Sequence, residues 1–251
     1  MSFQVYASCG CNVGKIRKKN EDNFIFWGKH LKEHNPGLTA PLFMQDSLEN
    51  GFCLAVFDGI GGENFGEKAS YVAANKIQSI KNERSNNDIV LYLNEMTKRL
   101  DEIVVEAQQN MHTDKMGTTM VCMYYFEGKI YFCNIGDSRA YRLRNGSFIQ
   151  LSYDHISKRP SESNKKGWLT QYLGYGSEGI EVEPFVCEEE IKRDDIYLLC
   201  SDGLSDMLTD LEICDIIKHS ENPKKSVEKL IDSAMEHGGR DNITVIVCKV
   251  V

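Results

Sequence analysis

The sequence predicts an α+β fold, in which short antiparallel strands are grouped apart from pairs of helices. Two turn pairs, Glu127-Gly128 and Asn145-Gly146, each join two β-prone runs, and an Asn-Gly pair between such runs is a strong hairpin signal. Two long amphipathic stretches follow one another between residues 66 and 107. Their apolar residues recur at helical spacing, which is typical of helices that cover a sheet.

The predicted strands lie on both sides of these helices in the chain. Strands are predicted at residues 4–9, 23–28, 51–57, 118–126, 129–135, 139–144, 147–151, 182–187, 195–200 and 243–250. Residues 29–50 and 156–180 have no such pattern and are predicted to be irregular. No linker, repeat or low-complexity segment divides the chain, so residues 1–251 are expected to form a single domain.

Two further helices are predicted near the C-terminus. Thr209 and Glu212 have the spacing of a capping box, and the apolar residues of a short helix follow them. The last helix is predicted to begin at Pro223 and to end at Gly238. Proline is favoured in the first helical turn and glycine just past the last one, because their backbone preferences differ.

Composition limits the class of function. The chain of 251 residues is 41% hydrophobic and 26% charged, which is ordinary for a globular protein. Its formal net charge of -8 argues against general nucleic-acid binding, which needs Lys and Arg to neutralise phosphates. No apolar run approaches the roughly 20 residues that span a bilayer, and residues 1–10 lack a signal-peptide pattern. We therefore expect a soluble, cytoplasmic monomer with no nucleic-acid or membrane partner.

Nine cysteines are present, mostly inside apolar runs, as expected of buried thiols in a reducing compartment. The close pair in Cys9-Gly10-Cys11 lacks the second pair of ligands that a structural zinc site needs. The sequence therefore does not predict zinc at this pair.

Five aspartates lie in short segments marked by Gly or Asn: Asp22, Asp58, Asp137, Asp202 and Asp241. Four of these segments flank β-prone runs, so their carboxylates are expected at strand ends, where separate segments converge on one cleft. Carboxylates without His or Cys companions favour Mg²⁺ or Mn²⁺ over Zn²⁺. Each Asp alone also has a simpler explanation, because Asp-Gly and Asp-Asn are common turn pairs. The order of the segments favours the metal site.

That order resembles the metal-dependent serine/threonine protein phosphatases of type 2C, nearly from end to end. Six motifs match in the order of the family: G-x-x-R-x-x-N-E-D at 14–22, D-G-x-G-G…G-E-x-A-S at 58–70, G-T-T at 117–119, G-D-S-R-A-Y at 136–141, S-D-G at 201–203 and G-R-D-N at 239–242. One short motif would be weak, whereas six in order are specific. The resemblance implies two packed antiparallel sheets with pairs of helices on both outer faces.

The resemblance also implies hydrolysis of phosphoserine and phosphothreonine in proteins, opposing a Ser/Thr kinase, with Mn²⁺ or Mg²⁺ as cofactor. Two ions would hold and activate a bridging water, so no protein nucleophile is required. Arg17 would bind the substrate phosphate, since a guanidinium can hold two phosphate oxygens at once. Asp137 together with Asp202 would form the weaker third metal site of bacterial members.

The two main ions would be held by residues of four motifs. Asp58 would bridge both ions, and the carbonyl of Gly59 would complete one coordination sphere. Asp202 and Asp241 would hold the other ion, while Asp22 would act at longer range through a metal-bound water.

Three positions depart from the family pattern. Many members have Asp where this chain has Asn12, eukaryotic members have a proposed general-acid His where it has Ile60, and bacterial members usually have His where it has Glu63. The group that protonates the leaving alkoxide therefore stays open between a metal-bound water and His155.

Asn12 and Glu63 motivate an alternative, a non-catalytic relative that binds phosphoproteins or serves as a regulatory scaffold, whereas Ile60 suggests the bacterial type more than a loss of activity. The retained aspartates argue against it, because like charges that converge without a cation are unfavourable. A third possibility is a phosphatase that acts on one partner, such as an anti-sigma-factor antagonist.

The irregular segment 156–180 corresponds to the flap that lies beside the active cleft in the family. It carries four basic residues, Lys158, Arg159, Lys165 and Lys166. They would attract an acidic or phosphorylated substrate, although a solvated charged loop is the simpler explanation.

Overall fold

The structure is a computed structural model that describes residues 3–60, 65–81, 88–113, 116–157, 167–178 and 180–251. Within these residues the strands are β1 (Gln4–Asn12), β2 (Asn23–Phe26), β3 (Leu42–Ser47), β4 (Cys53–Phe57), β5 (Gly59–Ile60), β6 (Gly117–Thr118), β7 (Met120–Phe126), β8 (Lys129–Ile135), β9 (Arg139–Arg144), β10 (Ser147–Gln150), β11 (Phe185–Glu190), β12 (Ile196–Cys200) and β13 (Ile243–Val250). The helices are α1 (Gly66–Lys81), α2 (Ile89–Asn110), α3 (Asp202–Ser205), α4 (Asp210–Lys218) and α5 (Pro223–Glu236), and short 3₁₀ turns lie at Leu48–Asn50 and Tyr175–Glu178.

Two antiparallel sheets form the centre of the molecule. The first sheet has the strand order β10-β9-β12-β13-β1-β3, and the second has the order β11-β8-β7-β4-β2. The short strands β5 and β6 pair separately, next to the end of β4. This topology confirms the predicted α+β class.

Three apolar clusters hold the layers together. One cluster lies between the second sheet and the helices α1 and α2, another fills the space between the two sheets, and a third joins the first sheet to α3, α4 and α5. The layer order helix, sheet, sheet, helix therefore agrees with the one that the resemblance implied.

Local sequence signals account for several boundaries. Both predicted hairpins are present, and Glu127, Gly128, Asn145 and Gly146 all have positive φ, as a tight two-residue hairpin turn requires. The capping box of Thr209 and Glu212 begins α4, and α5 begins at Pro223.

Other boundaries differ from the sequence prediction. The first strand continues to Asn12, because its pairing with β13 extends that far. The second ends at Phe26, since Trp27 and Gly28 adopt positive φ and turn the chain. Residues 42–47 form β3 within a segment predicted to be irregular, at the edge of the first sheet. The strand predicted at 182–187 lies at 185–190.

The nine cysteines are free thiols, and seven of them are buried. Cys9 and Cys11 lie in the core between the two sheets. Burial raises the pKa of the Cys11 thiol to about 12, so this thiol stays protonated at neutral pH. Among the described residues, no helix is both long enough and apolar enough to cross a membrane.

Candidate active site

A cleft of about 210 Å³ gathers side chains from the ends of both sheets. Asp58 follows β4 of the second sheet, whereas Asp202 follows β12 and Asp241 precedes β13 of the first sheet. Asp137 lies in the connection between β8 and β9, which passes from one sheet to the other. Four of the five predicted aspartates therefore line one cleft, together with Arg17 and Gly59.

The backbone of Asp58 is fixed by Thr118 at the end of β6 and by Thr119 directly after it. The Thr118 hydroxyl and the Thr119 N–H donate to the Asp58 carbonyl at 2.9 and 2.8 Å, and the Asp58 N–H donates to the Thr119 hydroxyl at 3.1 Å. The Thr119 and Ser138 hydroxyls are 2.6 Å apart, which joins this group to the segment that carries Asp137.

Gly59 lies at a point where backbone segments approach closely. A Cβ atom built on it would be 2.3 Å from the Gly66 carbonyl oxygen and 2.6 Å from the Glu21 carbonyl oxygen. The Gly59 N–H donates to that Glu21 carbonyl at 3.1 Å. Only glycine fits here, because any side chain would collide with backbone.

Asp22, the fifth predicted aspartate, lies outside the residues that line the cleft and is almost fully buried, with 1% exposure. Its Oδ2 accepts hydrogen bonds from the hydroxyls of Ser201 and Thr244, both at 2.7 Å. Its Oδ1 is buried and has no hydrogen-bond partner among the described residues.

Arg17 is half-exposed at the cleft, and its Nη2 donates to Asp241 Oδ2 at 2.7 Å. This hydrogen bond raises the pKa of the guanidinium, so Arg17 is cationic at any pH of interest. The site therefore combines the permanent positive charge of the Arg17 guanidinium with several carboxylates.

Convergence of the carboxylates changes their acidity. Burial and the nearby charges of the other four aspartates raise the pKa of Asp58 well above its ordinary value. Burial raises the pKa of Asp22 to about 7, even though two hydroxyls donate to its carboxylate. Both shifts report that negative charge is unfavourable here unless a cation compensates it.

The described residues fit a hard divalent cation. Asp22 Oδ1 is an orphaned buried acceptor, and such groups normally find a partner. No three His, Cys, Asp or Glu side chains in the described ranges are grouped closely enough to hold an ion by themselves. Mg²⁺ usually takes only one or two carboxylates and keeps several waters, so the open spacing of the cleft carboxylates suits it.

Four residues that line the cleft were not among the predicted site residues: Glu21, Ile60, Thr119 and Leu169. Burial raises the pKa of Glu21, whose main-chain atoms also hold Gly59. The signal for Glu21 was its place directly before Asp22 in the first motif, whereas no sequence signal marks Leu169 as a cleft residue.

Other candidates are not part of the cleft. His155 is buried, burial lowers the pKa of its imidazole, and its Nδ1 lies 3.2 Å from the backbone N and O of Gly136. The Asn12 Oδ1 accepts from the Gly14 N–H at 2.8 Å and so shapes the turn before Arg17. Glu63 and the four basic flap residues at 158–166 lie outside the described residues.

Comparison with known proteins agrees with this architecture. The family model described as Protein phosphatase 2C matches residues 7–166 and 165–243. The serine/threonine phosphatase stp of Listeria welshimeri is 30% identical over 259 residues, covering 96% of this chain and 94% of that protein. PstP of Mycobacterium tuberculosis is 32% identical over 219 residues, covering 82% of this chain and 42% of that protein.

Solved structures show the same fold. PppA, described as a regulatory component of T6SS in Pseudomonas aeruginosa, aligns with a TM-score of 0.79 at 26% identity, covering 99% of this chain and 100% of that one. The catalytic domain of PstP in complex with two manganese ions aligns with a TM-score of 0.78 at 27% identity, covering 99% of both chains.

The chain combines an α+β sandwich with an acidic cleft at the ends of its sheets, and the proteins that it resembles over its whole length are metal-dependent phosphatases. This chain belongs to the protein phosphatase 2C family, as the family model and the full-length relatives show. It is a protein serine/threonine phosphatase of the bacterial type, and its substrates are phosphorylated proteins.

Proposed function

We propose that the cleft binds two divalent cations, Mn²⁺ or Mg²⁺, and hydrolyses phosphoserine and phosphothreonine with their help. The observation that carries this proposal is the convergence of Asp58, Asp202 and Asp241 from both sheets on one cleft that Arg17 also lines. When bound, such a pair of ions supplies an activated water and neutralises the phosphoryl oxygens. The two manganese ions in the PstP catalytic domain support the number and kind of ion.

In this proposal the Asp58 carboxylate would hold both ions, and the Gly59 carbonyl would be a further ligand of one of them. The hydrogen bonds that the Asp58 backbone makes with Thr118 and Thr119 hold it in one position. A fixed carboxylate is useful because metal sites depend on ligands that do not need to reorganise.

Asp202 and Asp241 hold the second ion in this scheme. Asp22 would act at longer range, since its buried Oδ1 has no hydrogen-bond partner among the described residues and would accept a hydrogen bond from a metal-bound water. Asp137, with Asp202, provides the weaker third metal site.

Arg17 binds the phosphate of the substrate. Its side chain is 44% exposed at the cleft, and its planar guanidinium can donate to two phosphate oxygens. The hydrogen bond to Asp241 sets the guanidinium close to the carboxylates, where the phosphoryl group must also lie.

A cognate Ser/Thr kinase, a monomeric state and a cytoplasmic location stay predictions from the sequence. Contact between the four basic residues of the expected flap and the substrate also stays a prediction from the sequence.

The test is hydrolysis of para-nitrophenyl phosphate and of a phosphothreonine peptide with Mn²⁺, with Mg²⁺ and with chelator. We expect activity that requires metal, and its loss in Asp58→Asn and Asp241→Asn. Asp215→Asn is the matched control, because this carboxylate is exposed on α4, outside the cleft.

Two results would count against the proposal. Folded Asp58→Asn and Asp241→Asn proteins with full metal-dependent activity would show that the ligand assignment is wrong. A folded wild-type protein with no activity in either metal would favour a phosphoprotein-binding role.

A further inference from the structure

One buried carboxamide, that of Asn242, ties together the segments that carry Arg17 and Asp241. Its Oδ1 accepts from the Glu21 N–H at 2.7 Å, and its Nδ2 donates to the carbonyls of Val13 and Lys19, both at 2.9 Å. The residue is 2% exposed. Both ends of the segment 13–21, with Arg17 between them, are thus bound by a single side chain.

The backbone of Asn242 is held in turn by the carboxylate segments. Its N–H donates to Asp241 Oδ1 at 2.8 Å, while Oδ2 of the same Asp accepts from Arg17. Its carbonyl packs against Gly203, where a Cβ atom would lie 1.8 Å from the oxygen, so only glycine fits next to Asp202. Asn242 is therefore in contact with three segments of the cleft.

We infer that Asn242 is a positioning residue, which fixes the Arg17 guanidinium relative to the carboxylates of Asp241 and Asp202. The inference rests on the proposed function, in which Arg17 binds the substrate phosphate. The chemistry requires a carboxamide of this length, because the three bonds use two N–H donors and one acceptor on the same group. Aspartate has the same shape but no donor, and serine has only one.

This role differs from general support of the fold. Substitution of a purely structural residue lowers the stability of the protein. If it changes affinity, it changes the affinities for metal, substrate and product together. Substitution of a residue that positions Arg17 weakens phosphate binding, and this effect disappears when Arg17 is also replaced.

The test is a double-mutant cycle with Asn242→Ala, Arg17→Ala and the combined variant. The measured quantities are the KM for para-nitrophenyl phosphate and the dissociation constant of inorganic phosphate by calorimetry, both at saturating Mn²⁺. We expect Asn242→Ala to weaken phosphate binding and raise KM by about tenfold, since a misplacement of about 1 Å can cost on the order of 100-fold. In the Arg17→Ala background the same change should have less than a twofold effect.

Gln108→Ala is the matched control. Gln108 is also a buried carboxamide that donates to two backbone carbonyls, those of Met116 and Gly174, but it lies on α2 away from the cleft. It should lose stability, and any effect on phosphate affinity should be the same with and without Arg17, because neither of its bonds involves the segment 13–21. Hydrogen exchange of the Glu21 amide, which donates to Asn242, should increase in Asn242→Ala alone.

Unchanged phosphate affinity in folded Asn242→Ala, or equal effects with and without Arg17, would overturn the inference. If Asn242→Ala does not fold, Asn242→Ser is measured by the same criteria, with an effect in the same direction expected because the shorter hydroxyl cannot make the three bonds of the carboxamide. Failure of the proposed function would instead appear as a wild-type protein without metal-dependent hydrolysis. The calorimetric cycle with inorganic phosphate still decides the role of Asn242 in that case.

Discussion

Asp58 has a carboxylate whose pKa is raised by burial and by four neighbouring aspartates. Burial and the neighbouring charges each oppose ionisation of Asp58 in the folded protein, and both are absent from the unfolded chain. A negative charge on Asp58 therefore lowers the stability of the metal-free protein. The charge is useful only when a cation binds to it.

We predict that Asp58→Asn raises the melting temperature in the presence of chelator while it abolishes metal-dependent hydrolysis. Asparagine keeps the size of the side chain and removes the charge, so the repulsion is lost. For a chain of this length, the midpoint should rise by about 2 to 4 °C for each kcal/mol regained. Differential scanning calorimetry in chelator measures the shift.

Asp215→Asn again provides the comparison, since its exposed charge contributes little to stability. A melting temperature of Asp58→Asn at or below that of the wild type would contradict the account of Asp58 as a destabilising charge.

Single residues also show where sequence reasoning ends. The aspartates were predicted because each lies in a motif that can be read locally. Asn242 has an equally local motif, yet its function depends on contacts with Val13, Lys19 and Glu21, more than 200 positions away in the chain. Such contacts follow from the pairing of β1 with β13, which no local pattern specifies.

Among the elements, those with strong periodicity or turn chemistry were predicted correctly. The helices α1 and α2 have clear apolar stripes, and the two hairpins have turn residues that tolerate positive φ. The strand β3 was missed, because it lies at the edge of its sheet, is only half-buried and mixes Gln45 and Asp46 with apolar residues. Its pairing with β1, not its own pattern, makes it a strand.

The helix α2 also anchors residues 167–178, which belong to the segment that the resemblance predicts to be the flap. Asp101 on this helix is buried, and its Oδ1 accepts from the Gly174 N–H at 2.7 Å and from the Gly176 N–H at 3.5 Å. Leu173 in the same segment bonds through its backbone to Thr118, whose hydroxyl holds Asp58. The anchor therefore connects the helical layer to the cleft.

We predict that Asp101→Ala lowers the free energy of unfolding by about 1 to 3 kcal/mol, the usual cost of a buried donor left without its partner. Hydrogen exchange should become faster in residues 167–178. Urea unfolding and exchange mass spectrometry measure the two effects.

Two variants make this prediction specific. Asp101→Asn retains an acceptor oxygen and should recover most of the loss, while Glu102→Ala changes an exposed neighbour on the same helix and should have little effect. Equal losses for Asp101→Ala and Glu102→Ala would show that the anchor contributes nothing.

At the scale of the whole molecule, the cleft joins the two sheets. Asp22 and Asp58 belong to segments of the second sheet, whereas Asp202 and Asp241 belong to segments of the first. A cation held between them would link the sheets across the sandwich in the folded state only. Binding of this kind stabilises the fold by about 2.7 kcal/mol when the free metal concentration is 100 times Kd.

We predict that this stabilisation by Mg²⁺ grows between pH 5.5 and 7.5. Burial raises the pKa of Asp22 to about 7, above its value in the unfolded chain. The stability that this group contributes is therefore complete below the unfolded pKa of about 4 and is lost as pH rises through about 7. A bound cation compensates the carboxylate charge and so removes this loss. In chelator the melting temperature should fall over the range, and the difference between Mg²⁺ and chelator should widen. In Asp22→Asn, the difference in melting temperature between Mg²⁺ and chelator should increase less with pH. If this difference stays constant with pH in the wild type, Asp22 and the cation are not coupled.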